Sequence, residues 1–103
     1  MRRVVVVAEP AQRHIREVDR WWRRNRLAAP NLFAQELGAA FETISTHPGV
    51  GRRYAHPTQR GVRRALLRAC RYHVYFVATD DEIVVLAVWN AVRGSGPPLT
   101  GLL

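Results

Sequence analysis

His73 and Tyr75 stand two residues apart in a run of strong β-propensity, Arg71-Tyr72-His73-Val74-Tyr75-Phe76-Val77-Ala78. Side chains alternate along a strand, so residues two apart share one face. An imidazole beside a phenol can pass protons between a nucleophile and a leaving group. Arg60, Arg63, Arg64, Arg68 and Arg71 precede or adjoin the pair, and Arg93 follows it. A guanidinium offers a planar fork of donors suited to phosphate or carboxylate, and it does not titrate. Such a set would suit in-line cleavage of RNA, which needs a base for the 2′-hydroxyl, positive charge at the phosphate and an acid for the leaving oxygen. No residue is assigned as catalytic on this basis: His73, Tyr75, Arg64 and Arg93 are the candidates only if the chain is a ribonuclease, and a surface or packing role is the preferred reading for His73 and Tyr75. The second candidate set is a partner-binding surface made of Arg60, Arg63, Arg64, Arg68, Arg71, Trp89, Asn90 and Arg93.

Other chemistry finds little support. His14, His47, His56 and His73 are the histidines, and no two have the short spacing of a zinc site, so no metal is expected. Gly49-x-Gly51 reads as a turn rather than a phosphate cradle. Cys70, the lone cysteine, has no evident relay partner and reads as a packing residue. No cofactor is expected.

These residues need a frame. The chain has 103 residues, 48% of them apolar, which suits one folded domain over residues 1–103. The apolar run Val4-Val5-Val6-Val7-Ala8 is too short for a signal peptide, and no segment has the length of a membrane helix. With one cysteine the expected compartment is the cytoplasm. Sixteen basic residues, all arginine, against eight acidic ones give a net charge of +8 and imply an anionic partner, nucleic acid or an acidic protein segment.

Residues 2–8 read as a buried strand stopped by Glu9-Pro10. Ala11, Ile15, Val18 and Trp22 then mark one stripe of an amphipathic helix, with Trp21 at its margin and Glu17 spaced to pair with Arg20 or Arg24. Leu27-Ala28-Ala29-Pro30-Asn31 breaks it. A second helix is expected over residues 31–46, with Asn31 as N-cap and Phe33, Leu37, Ala40 or Phe41, and Ile44 on its apolar face. The stretch to about Gln59 reads as loop. Three strands follow over residues 62–69, 71–78 and 82–92, the last two joined by a Thr79-Asp80-Asp81 turn. The tail Gly94-Ser95-Gly96-Pro97-Pro98 reads as irregular. The fold class is α+β: an N-terminal strand, a helical hairpin, then a three-stranded antiparallel meander, forming one sheet with the helices on one face.

This order, with Gly61-Val62-Arg63-Arg64-Ala65-Leu66-Leu67, Tyr72-His73-Val74-Tyr75-Phe76 and Asp80-Asp81-Glu82-Ile83-Val84-Val85-Leu86-Ala87-Val88-Trp89 in place, resembles the RelE/ParE toxin superfamily. Its members show an arginine-bearing strand, an aromatic strand, an acidic turn and an apolar strand that commonly ends in histidine and arginines. Here that ending is Asn90-Ala91-Val92-Arg93, with no lysine in the chain and no tyrosine after Tyr75. The resemblance implies the toxin of a type II toxin–antitoxin system. The ParE-like branch, which blocks DNA gyrase by protein contact, fits better than the RelE-like ribosome-dependent mRNA endoribonucleases. A degenerate non-toxic relative that binds antitoxin is the third reading. The implied partners are an acidic cognate antitoxin, DNA gyrase or alternatively ribosome and mRNA, and operator DNA reached through the antitoxin; no membrane is implied.

Overall fold

A computed structural model describes residues 2–92 and 96–99 of the chain. The order is β1 (Val4–Val7), α1 (Glu9–Asn25), α2 (Leu32–Thr46), a 3-10 turn (Pro48–Val50), β2 (Arg52–Arg53), β3 (Arg63–Leu67), β4 (Tyr72–Ala78) and β5 (Glu82–Asn90). The α+β arrangement of strand, helical hairpin and antiparallel meander is as the sequence implies. Two features enlarge it. The sheet has five strands in the order β1-β5-β4-β3-β2, and it is mixed, because β1 runs parallel to β5. The strands are also shorter than the β-propensity suggests. The β3–β4 connection takes up Arg68, Ala69, Cys70 and Arg71, with Arg71 in the left-handed region at φ 64°. No helix among the described residues is long and apolar enough to cross a membrane.

Helix α1 forms because Pro10 sits in its first turn, where an N–H has no intrahelical partner, and because Ala11, Ile15, Val18 and Trp22 bury one stripe. Its ion pairs are Glu9–Arg13 at 3.6 Å and Asp19–Arg23 at 2.9 Å, rather than pairs of Glu17. Asn31 occupies the N-cap position of α2 but makes no side-chain capping bond. Phe33, Leu37 and Ile44 of α2 join Ala11 and Trp22 over Val74, Phe76, Ile83, Val85 and Val88 of the sheet. Each large apolar side chain fully buried there contributes about 1.5–3 kcal/mol.

A β-bulge sets the faces of β5. Tyr75 opposes Ala87 and Phe76 opposes Val85, which leaves Leu86 as the extra residue. Leu86 and Ala87 therefore both turn away from the helices. With Tyr75, Val77, Val62 and Leu99 they form a second apolar cluster on the far face of the sheet. Residues 96–99 are irregular, as the sequence suggests for its prolines, yet Leu99 is 1% exposed and closes that cluster. Gly94 and Ser95, part of the same expected tail, lie outside the described residues.

Candidate functional site

The candidate residues separate into two clefts at opposite edges of the helix layer. The first, about 620 Å³, lies between α1 and the ends of β4 and β5. β1 stops at Val7 opposite Val85, so β5 runs on from there without β1 beside it. His14 takes over, its Nδ1 accepting the Val88 N–H at 3.2 Å. That bond places the ring proton on Nε2. Burial holds the His14 pKa below the usual 6.5, with Arg13 adding to the effect and Glu17 opposing it. The ring also meets Trp89 edge-on, with centroids 5.3 Å apart.

Trp21 and Trp22 line the same cleft from α1, edge to face at 5.9 Å. One helical step separates them by about 100°, and their fates differ accordingly. Trp22 is 8% exposed and its Nε1–H is buried with no acceptor, whereas Trp21 is 45% exposed. The Arg26 guanidinium lies over both rings, at 4.9 and 5.7 Å from their centroids. Arg71, Trp89 and Asn90 complete the wall, so three of the residues singled out in the sequence meet here. Asn90 also ends its own strand, because its Oδ1 accepts the Val92 N–H at 2.8 Å.

The second cleft, about 550 Å³, opens between α2 and β3. Arg64, Arg68 and His73 line it, joined by Arg52, which falls in a stretch that the sequence marks as loop. Arg64 lies over the Tyr54 ring at 5.2 Å and donates to the Tyr75 hydroxyl at 3.4 Å. Arg63 turns away and donates to the Gly51 carbonyl at 2.7 Å. Arg60 lines neither cleft, and Arg93 lies outside the described residues.

His73 and Tyr75 share a face as alternation requires, their rings edge to face with centroids 5.9 Å apart. Burial, and then the Arg64 charge, hold the His73 pKa below 6.5, so the imidazole is neutral at pH 7 and able to accept a proton. Tyr75 is 2% exposed, and its hydroxyl faces Arg64 rather than solvent. From Thr43 to Thr79 the chain carries seven arginines and no aspartate or glutamate. The arrangement gathers guanidinium groups suited to anions, and among the described residues no carboxylate pairs with His73, whose only charged influence is Arg64. Among the described residues no three histidine, cysteine, aspartate or glutamate side chains are grouped to hold a metal ion.

Two structural residues escape sequence reasoning. Glu36 of α2 accepts the Ala69 and Cys70 N–H groups at 2.9 and 3.0 Å, tying the helix to the β3–β4 turn. Gly51 is buried so closely against the Phe76 ring that a Cβ would stand 2.7 Å from it. Neither position belongs to a periodic pattern that could announce it.

Comparison with the curated proteins found no match. The family model described as the ParE toxin of type II toxin–antitoxin system, parDE, matches residues 5–93, a span that runs from β1 through β5 and includes both clefts. The chain belongs to the ParE toxin family of type II toxin–antitoxin systems.

Proposed function

We propose that this chain is a single-domain cytoplasmic toxin that disables its target by protein contact rather than by breaking bonds, with DNA gyrase as the target and an acid-rich antitoxin as its neutraliser. The observation that carries the reading is the state of the proton-handling pair. Tyr75 is buried with its hydroxyl against Arg64, and among the described residues His73 pairs with no carboxylate and has Arg64 as its charged neighbour. The parts available for contact are better developed. An exposed Trp21 under Arg26, with Trp89 across the cleft, supplies the aromatic and guanidinium anchors typical of energetic centres in interfaces. In this reading the tryptophan cleft meets the target, and the arginines of β2 and β3 meet the antitoxin. Contact with operator DNA then runs through the antitoxin.

Purified chain added to gyrase and relaxed plasmid should block supercoiling. Trp21→Ala should weaken that block by about thirtyfold, the loss expected for one aromatic anchor worth about 2 kcal/mol. His73→Ala should leave it intact. Arrest of translation with supercoiling untouched, abolished by His73→Ala, would instead support the ribonuclease reading.

A further inference from the structure

All three tryptophans of the chain, Trp21, Trp22 and Trp89, line the first cleft. Their collection around one opening of about 620 Å³ keeps flat apolar surface available at a single place. Two guanidiniums stand among the rings. Arg26 lies over Trp21 and Trp22, at 4.9 and 5.7 Å from their centroids, which holds its plane and leaves its N–H edges to meet an oxygen pair. Arg71 is placed there against strain. Its φ of 64° is the left-handed region, and the other such position among the described residues is Gly61. The backbone of Arg71 is fully used in the turn: its N–H donates to the Leu67 carbonyl and its carbonyl accepts the Ala91 N–H, each at 2.8 Å. Glycine would serve that turn with less strain, so the presence of arginine is a matter of its side chain.

Among the described residues neither guanidinium pairs with a carboxylate. Glu17 is the one acid lining the cleft and it is exposed, so the walls keep a net positive charge while His14 is neutral. Asn90 accepts the Val92 N–H with its Oδ1, which leaves its amide N–H groups to donate. An occupant must therefore bring a planar ring for the indoles, an anionic group for the two arginines and an acceptor for Asn90. An aspartate or glutamate side chain carries the charge without the ring. A strand of nucleic acid carries both, but successive phosphates need a row of cations, and the walls hold two. A single nucleoside monophosphate carries the ring, the acceptors and one phosphate, with sugar hydroxyls able to donate to Glu17, on a body that an opening of this size takes.

We propose that the tryptophan cleft between α1 and the ends of β4 and β5 binds a free nucleoside monophosphate, its base against Trp21 and Trp89 and its phosphate on Arg26 and Arg71. The proposal goes beyond the toxin reading and does not depend on it, although both use this cleft.

The test titrates the full chain with adenosine monophosphate and follows tryptophan fluorescence, since every indole of the chain lines the cleft. The emission should change saturably. Adenosine, which lacks the phosphate, and inorganic phosphate, which lacks the ring, should each bind about tenfold more weakly or worse. Arg71→Gly removes the side chain and eases the backbone, so it should melt no lower than wild type yet bind about tenfold more weakly. Arg26→Gln, at an exposed position just past α1, should weaken binding as much, and it decides the matter if Arg71→Gly unfolds. The proposal is overturned if adenosine monophosphate leaves the emission unmoved, or if adenosine or phosphate alone binds as tightly. It is overturned equally if either arginine variant, folded, binds like wild type, or if a single-stranded oligonucleotide fills the cleft and the free nucleotide does not. Saturable nucleotide binding by a chain that leaves supercoiling untouched would keep this site and sink the toxin reading. A supercoiling block with a silent titration would do the reverse.

Discussion

Replacing Glu36 tests whether one carboxylate fastens the helical hairpin to the sheet. Its two oxygens accept the Ala69 and Cys70 N–H groups at 2.9 and 3.0 Å, thirty-three and thirty-four residues away in sequence. Charge-assisted hydrogen bonds are worth about 1.5–3 kcal/mol each when buried. The Ala69 donor is exposed and water can replace its acceptor, so Glu36→Ala should cost about 2 kcal/mol in total, and Glu36→Gln, which keeps one acceptor, about 1 kcal/mol. For a domain of this size the alanine variant should melt roughly 10 °C lower.

The pH dependence supplies the refutation. Burial pushes the Glu36 pKa up, but hydrogen bonds from the backbone of Arg68, Ala69 and Cys70 and from the Cys70 thiol together outweigh it, so the folded value lies below the usual 4.5. A depressed carboxylate stabilises the fold above its unfolded pKa and loses that contribution as pH falls through the folded one. The gap in urea midpoint between wild type and Glu36→Gln should therefore be full at neutral pH and narrow below 4.5. The thiol gives an independent signal. Burial, followed by the hydrogen bond to Glu36 and its charge, raises the Cys70 pKa to about 12. Glu36→Gln should lower it and speed alkylation of Cys70 at mildly alkaline pH. Equal midpoints at neutral pH together with an unchanged alkylation rate would refute the tie.

Gly51→Ala should destabilise by about 1–3 kcal/mol in urea unfolding, because its Cβ would stand 2.7 Å from the fully buried Phe76 ring; its φ of −75° makes no demand for glycine. Leu99→Ala should cost about 2–3 kcal/mol, read by thermal melting, since Leu99 closes the far-face cluster over Tyr75, Val77 and Leu86. His14, held below 6.5 in the fold, should contribute stability that is full above pH 6.5 and declines as pH falls from there to its folded value. His73 titrates in the same direction, so the decline should shrink in His14→Gln and shrink further in the double variant with His73→Gln. A slope unchanged by either substitution would count against both assignments.

What the sequence made legible was whatever repeats with a period. The stripe Ala11, Ile15, Val18 and Trp22, the run Tyr72–Ala78 and the acidic turn before β5 each carry their structure in local spacing. What escaped lacks a period. β2 is two arginines among prolines and glycines, a strand only because β3 lies beside it. The bulge at Leu86 is invisible in an unbroken apolar run, although it decides which side chains face the helices. The parallel pairing of β1 with β5 joins segments almost eighty residues apart. The partner-binding set suffered for the same reason: Arg71, Trp89 and Asn90 meet Trp21 and Arg26 in one cleft, while Arg64 and Arg68 meet Arg52 in another.

The distribution of charge connects the two clefts to one economy of the chain. All eight acidic residues fall before Thr43 or after Thr79. Several are engaged with the protein itself: Glu9, Asp19 and Glu42 pair with Arg13, Arg23 and Arg2, and Glu36 holds the β3–β4 turn. The seven arginines of the intervening stretch have no such partners among the described ion pairs. Exposed pairs contribute little to folding, roughly 0–1 kcal/mol, so leaving these arginines unpaired costs the fold little. It does concentrate positive charge on the β2–β3 edge of the sheet. Charge of this kind raises the rate at which an acidic partner reaches a surface. Neutralising Arg52, Arg64 and Arg68 together should therefore slow association of an acidic partner and flatten its dependence on salt. An association rate and salt dependence unchanged by that substitution in stopped-flow binding would show that these arginines are not a landing surface.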